Sequence, residues 1–205
     1  VDFSYQRFLD LLKVIDKEIN EKNGVFGEEF LFYFNQIINF INDDFLLHDF
    51  TIKYDIVIGN PPYKKITKEK DLLKRYKCGL YNKDTNNIFS FFIEKSLTLG
   101  DYVSLIVPKS LINAPEFNKT RELLNKHRIT NIFDFGEKGF KGVKIETVCF
   151  IAQPGKSPKT TIVESYITNK HVAYNQSYIT DSAYPYWLIY RNEDFDTVAD
   201  RMTFN

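Results

Sequence analysis

Little in this sequence can bind a metal or form a cross-link. Its two cysteines, Cys78 and Cys149, lie far apart, and its three histidines, His48, His127 and His171, complete no ligand spacing. Neither a disulfide framework nor a zinc site is expected. No apolar run reaches the roughly 18 residues a membrane helix needs. The amino terminus, Val1-Asp2-Phe3-Ser4, shows no basic stretch followed by an apolar segment, so nothing directs secretion and the cytoplasm is the expected compartment. A surplus of one charge is missing too: 27 Lys and Arg offset 27 Asp and Glu, so bulk electrostatics does not point to a nucleic-acid partner. There is no internal repeat and no low-complexity tract.

The chain does have apolar material for one main core: 43% hydrophobic and 16% aromatic residues in a length of 205. Phe8, Leu11, Leu12, Ile15 and Ile19 recur at three- and four-residue intervals and predict an amphipathic helix over 4–20, with Ser4 as its cap. A second helix is expected over the aromatic-rich 30–40. Asp55-Ile56-Val57-Ile58-Gly59 is short, apolar and β-branched, as in a strand buried on both faces of a parallel sheet. A helix over 86–99 and a strand over 102–107 follow, suggesting a right-handed βαβ crossover. Asn113 is a candidate cap for a helix with Pro115 in its first turn, reaching about His127. Strands over 129–135 and 147–152 flank a loop rich in glycine and lysine, 136–142. The alternation predicts an α/β fold with a mostly parallel sheet. Polar residues around 153–158 mark a domain edge, dividing a catalytic domain over 1–152 from a connector or the start of a further region over 153–205. A helix over 194–202 ends the chain.

Asn60-Pro61-Pro62-Tyr63, directly after the strand ending at Gly59, carries the chemistry. Methylating an aromatic amine is hard because the nitrogen lone pair is delocalised into the ring. Two acceptors aimed at its N–H bonds favour a tetrahedral nitrogen with a localised lone pair. The Asn60 amide oxygen and the Pro61 carbonyl are such acceptors, the prolines restrict the loop, and Tyr63 offers a flat face for a base. Asn-Pro-Pro also serves as plain strand-to-loop punctuation elsewhere; the buried strand before it favours the catalytic reading.

From Asp2 to about Ala152 the sequence resembles the gamma class of N6-adenine DNA methyltransferases of type II restriction-modification systems, especially fused restriction-methylase enzymes. The segment Tyr54 to Tyr63 is close to that family's pattern, and Asn87 to Glu94 and Val103 to Ser110 resemble its next helix and strand. The resemblance implies a partial Rossmann-like S-adenosylmethionine-dependent methyltransferase sheet and double-stranded DNA as partner. It also implies transfer of a methyl group from S-adenosylmethionine to the N6 amine of an adenine flipped from the duplex. Asn60, Pro61 and Tyr63 would be catalytic, and Phe140 in the loop before the later strand would stack on the flipped base. Asp2 would bind the cofactor ribose, Asp44 its adenine amine, and Phe45 and Pro62 would line the adenine pocket. Asp44 between neighbouring carboxylates also reads as a solvated turn residue, and Phe140 as a packed hairpin phenylalanine.

The first strand and glycine-rich cofactor loop of the family are lacking, and a large target-recognition region does not follow, so the chain resembles a piece cut at both ends. A fused or associated endonuclease and the target-recognition region would lie outside it. The same tetrapeptide serves enzymes that methylate protein glutamine or guanine amines of ribosomal RNA, and a non-catalytic DNA-binding remnant is a third reading. The cations Lys64, Lys65, Lys68, Lys70, Lys74, Arg75 and Lys77 form a local basic patch where phosphates would approach, or a solvated helix face.

Overall fold

In a computed structural model of the chain, residues 41–140, 142 and 144–201 are described, together with Lys17 and Asn39. The chain divides into two compact units, Val1–Asp44 and Phe45–Asn205. The helices expected over 4–20 and 30–40 lie outside the described residues, apart from Lys17, which is helical, and Asn39, which is not.

The second unit runs β1 (Tyr54–Gly59), α1 (Lys70–Tyr76), α2 (Ile88–Leu99), β2 (Gly100–Pro108), α3 (Ser110–Asn113), a 3-10 turn (Pro115–Phe117) and α4 (Asn118–Asn125). It continues with β3 (Arg128–Gly136), β4 (Thr147–Gln153), β5 (Thr160–Ser165), β6 (Lys170–Asn175), α5 (Gln176–Ile179) and α6 (Glu193–Ala199). The strands form one sheet in the order β1-β2-β4-β3-β5-β6. It is an α/β, partial Rossmann-like sheet, and among the described residues no strand and no glycine-rich loop precedes β1.

The expected mostly parallel sheet is corrected. β1 pairs with β2 and β3 with β5 in parallel, but β4 runs antiparallel to both its neighbours, β2 and β3, and β6 runs antiparallel to β5. Residues 137–146 between β3 and β4 are too few for the crossover a parallel pairing needs, so the chain turns back as a hairpin. The sheet also continues beyond the polar stretch around 153–158, through β5 and β6.

β1 is less buried than its composition suggests. Ile56 and Ile58 are 58% and 76% exposed. Among the described residues β2 is its one sheet neighbour, and α2 packs on a single face of the β1–β2 pair. Val57, on the other parity, packs against the core formed by Phe89, Ile93 and Leu97 of α2 with Val103, Leu105 and Val107 of β2. The helix expected from Asn113 is interrupted as well. Ala114 is extended at ψ 135°, because the ring of Pro115 disfavours a helical residue before it. Asn113 therefore ends α3 instead of capping, and α4 stops at Asn125.

Arg121 of α4, 3% exposed, fastens the carboxy-terminal segment to this core. It donates to the carbonyls of Leu111 at 2.8 Å, Ala114 at 2.9 Å and Pro185 at 2.9 Å. Beside it, Trp187 is buried and its backbone N–H donates to Ile112 O at 3.1 Å. Burial pulls the Arg121 guanidinium below its ordinary pKa.

Candidate active site

The topology brings three chain segments to one edge of the sheet. β1 and β2 are parallel, so Asn60, directly after β1, and Lys109, directly after β2, leave by their common carboxyl edge. Pro108 at the end of β2 pairs with Thr147 at the start of β4, which pairs with Gly136 at the end of β3. The hairpin 136–146 carrying Phe140 therefore opens at the same edge. The carboxyl end of parallel strands is where open α/β sheets form their sites.

Asn60-Pro61-Pro62-Tyr63 is held from its far side. The Tyr63 hydroxyl donates to Ile106 O of β2 at 3.1 Å, and its ring meets Phe89 edge-on at 6.5 Å. Burial, with a smaller contribution from Cys149 nearby, pushes the hydroxyl pKa up to about 12, so it stays a neutral donor at ordinary pH. Just beyond, Ile88 N–H donates to Lys64 O and Ile66 N–H to Asn86 O, both at 3.0 Å, clasping the segment to the start of α2. Ile66 is 1% exposed and anchors that clasp in the interior. Pro61 is buried, while Asn60 and Pro62 are exposed. Among the described residues, neither the Asn60 side-chain amide nor the Pro61 carbonyl takes a hydrogen-bond partner. The loop is thus pinned at Tyr63 and beyond, and leaves two acceptors without a partner among the described residues.

The hairpin carrying Phe140 is fixed at its base by groups the sequence reading missed. Gly136 adopts φ +52°, a conformation that favours glycine, and a Cβ there would force the Ile167 side chain to move. Its N–H donates to Asp134 Oδ1 at 3.0 Å. Asp134 is completely buried and pairs with Lys109 Nζ at 2.9 Å. Its other bond comes from the Tyr190 hydroxyl, whose pKa is pushed up to about 12 by burial first and by that bond second. Lys109 also reaches the far end of the hairpin: its N–H donates to Glu146 O at 2.9 Å and its Nζ lies 3.9 Å from Glu146 Oε1. The available signal was Asp134 itself, an acidic residue two places after Ile132 on the inward parity of a strand, where a carboxylate needs a cation. Phe140 is half-buried.

Of the residues expected to hold a cofactor, Asp2 lies outside the described residues. Asp44 belongs to the first unit, and its backbone N–H donates to Asp43 Oδ1 at 2.7 Å. Phe45 is stacked on Phe92 of α2 at 4.7 Å and 19°, which takes up one face of its ring. Lys95 steadies the following turn through the carbonyls of Leu46 at 3.0 Å and His48 at 2.6 Å. Among the described residues no cluster of His, Cys, Asp and Glu could hold a metal.

Comparison with known proteins gives the chain its family. Residues 4–140 match the family described as Eco57I restriction-modification methylase, and the chain belongs to that family. Its similarity to the type II methyltransferase M.VspI of Vibrio sp. (strain 343) is 34% identity over 104 residues, 49% of this chain and 25% of the relative. With the type II methyltransferase M.PstI of Providencia stuartii it shares 29% over 139 residues, 63% of this chain and 25% of the relative. The type I restriction-modification system methyltransferase subunit from Streptococcus thermophilus superposes with a TM-score of 0.48 at 17% identity, over 64% of this chain and 32% of that one. The chain spans about a quarter of the length of the curated relatives it matches.

Proposed function

We propose that this chain is the catalytic part of a DNA adenine methyltransferase of a restriction-modification system, which transfers a methyl group from S-adenosylmethionine to the N6 amine of an adenine flipped out of duplex DNA. The observation that carries this reading is the pair of unengaged acceptors, Asn60 amide and Pro61 carbonyl, on a loop tied down by Tyr63, Lys64 and Ile66. Asn60 and Pro61 accept the two N–H bonds of the amine, which draws the lone pair out of conjugation. Tyr63 and Phe140 hold the ring between them, and the duplex supplies the base by unpairing it.

The residue types suit the adenine end of S-adenosylmethionine: a carboxylate at Asp44, an aromatic ring at Phe45 and an exposed proline ring at Pro62. Asp2 would take the ribose hydroxyls. When bound, S-adenosylmethionine supplies an electrophilic methyl group. Around the loop, α1 has no buried residue, and Lys68, Lys70, Lys74 and Arg75 have no ion-pair partner among the described residues. They suit the phosphate backbone of DNA. Within 153–205, β5 and β6 extend the sheet of the catalytic part, and the connector role toward target recognition falls to the residues after them. Target recognition itself, like any fused or associated endonuclease, we assign to segments beyond these residues. No described helix is long and apolar enough to cross a membrane, and a DNA substrate implies the cytoplasm.

The test is transfer of labelled methyl groups to mixed-sequence duplex DNA by the full natural polypeptide carrying this chain, with Asn60→Ala beside it and product nucleosides identified. N6-methyladenine that falls at least a hundredfold in the variant is expected, since removing one such polar contact typically costs about 10²–10³ in rate. Label in protein or RNA would replace this reading by the glutamine or guanine methyltransferases. Tight cofactor binding without transfer to any substrate would leave a non-catalytic remnant.

A further inference from the structure

The ion pair between Lys109 and Asp134 links two segments that meet nowhere in the sequence. Asp134 and Gly136 begin the hairpin that carries Phe140, and Glu146 ends it. Lys109, directly after β2, bonds to both: Nζ to Asp134 at 2.9 Å, Nζ to Glu146 at 3.9 Å, and backbone N–H to Glu146 O at 2.9 Å. The charged and titratable groups facing this ammonium are thus Asp134 from β3, Glu146 from the hairpin and, through Asp134, Tyr190 from the segment before α6. The contacts are graded in burial. The Asp134 side chain is inaccessible, the Lys109 side chain 21% exposed and the Glu146 side chain 55% exposed, so the strong contact fixes the start of the hairpin and the weak one trims its end. Thr147 sits at the same point, fully buried with its hydroxyl unpartnered among the described residues. A Cβ on Gly139 would collide with that hydroxyl, so the near limb of the hairpin packs against β4 too closely to admit a side chain there.

We propose that Lys109 is a positioning residue: it sets the opening of the 136–146 hairpin and, through it, the position of Phe140 against the target base. This rests on the reading of Phe140 as the stacking partner of a flipped adenine. A misplacement of about 1 Å at a reacting centre costs on the order of a hundredfold. Loss of the ammonium while the aliphatic stem remains leaves the buried Asp134 with only its bonds from Gly136 and Tyr190, so a lower melting temperature is expected, and the positioning role is read from a loss in the base-binding step on top of it.

The test uses the full natural polypeptide, duplex DNA containing its mapped methylation site, and the same duplex with 2-aminopurine at the target position, whose fluorescence reports unstacking from the helix and quenching by a stacked aromatic ring. Lys109→Met, Lys109→Arg, Phe140→Ala and the Lys109→Met/Phe140→Ala double variant are compared. Lys109→Met should lower kcat/KM for DNA about tenfold or more and shift the 2-aminopurine signal toward that of Phe140→Ala, with cofactor affinity within twofold of the parent. Lys109→Arg should restore both to within about threefold. The double variant should be no worse than Phe140→Ala alone, since one residue acts through the other. Should Lys109→Met fail to fold, Glu146→Gln, at an exposed side chain, should give a smaller change in the same direction. An impaired Phe140→Ala beside a Lys109→Met of parental kinetics and fluorescence overturns the role of Lys109 alone, as does a Lys109→Met that lowers only the melting temperature. A parental Phe140→Ala overturns the stacking reading, and the Lys109 proposal falls with it.

Discussion

Tyr63 combines an anchored hydroxyl with a ring assigned to the base, and two substitutions separate them. Tyr63→Phe removes one bond, hydroxyl to Ile106 O at 3.1 Å in a half-buried setting, and a neutral hydrogen bond of this kind contributes about 0.5–1.5 kcal/mol. The melting temperature should drop by a few degrees, with kcat/KM for DNA within about fivefold of the parent. Tyr63→Ala also deletes the ring. Base–aromatic stacking is worth about 1–3 kcal/mol, so kcat/KM should fall roughly 5- to 150-fold beyond the phenylalanine variant. Differential scanning calorimetry and methyl-transfer kinetics on the same preparations read both quantities. The pKa adds a second check. Burial raises the hydroxyl from 10.0 to about 12, so the folded state holds this proton more tightly than the unfolded chain. That contribution to stability is complete below pH 10 and lost as the pH rises toward 12. Tyr63→Phe should make the alkaline decline shallower in that window and change nothing at pH 7. A well-folded Tyr63→Phe as inactive as Tyr63→Ala would refute the reasoning, because the hydroxyl would then act in the chemistry instead of anchoring the loop.

Two further outcomes are expected. Arg121→Ala strips the carbonyls of Leu111, which is buried, and of Ala114 and Pro185 of their donor and should destabilise the protein by about 3 kcal/mol, read by urea unfolding; a loss under about 1 kcal/mol would mean that the carboxy-terminal segment is held mainly by other contacts, such as Trp187. Replacing Lys68, Lys70, Lys74 and Arg75 by glutamine should flatten the dependence of log K for DNA on log salt by up to about 3.6, at about 0.9 per phosphate contact. An unchanged slope would assign α1 to solvent.

The elements that periodicity describes well were legible before any coordinates. The strand after Tyr54, the helix ending at Leu99 and the strands around Val103, Ile129 and Val148 fall within one or two residues of where apolar spacing puts them. Each is an apolar segment bounded by glycine or proline, and that pattern records burial of the segment itself. It does not record the neighbour. Nothing in Thr147 to Gln153 alone says that it lies between β2 and β3; the shortness of the 137–146 connection was the one signal of its backward run, and the exposure of Ile56 and Ile58 depends on which face of β1 is covered, which the strand's own sequence does not record. The basic run that contains α1 was read for its charge, because Leu72 and Leu73 make too narrow an apolar stripe to announce a helix. For the site, Asn60 to Tyr63 was legible because the chemistry is contiguous. Lys109, Asp134 and Tyr190 were not, because their meaning is a contact among three distant segments that only the strand order creates.

The three ties behind the Asn60–Tyr63 tetrapeptide, at Tyr63, Lys64 and Ile66, bear on which partner does the moving. A loop stitched to β2 and to the start of α2 cannot travel toward a base stacked in a duplex. On the proposed reading, the distortion then falls entirely on the nucleic acid, and how readily a site reacts is governed by how easily its base pair opens as well as by the contacts made once it has opened.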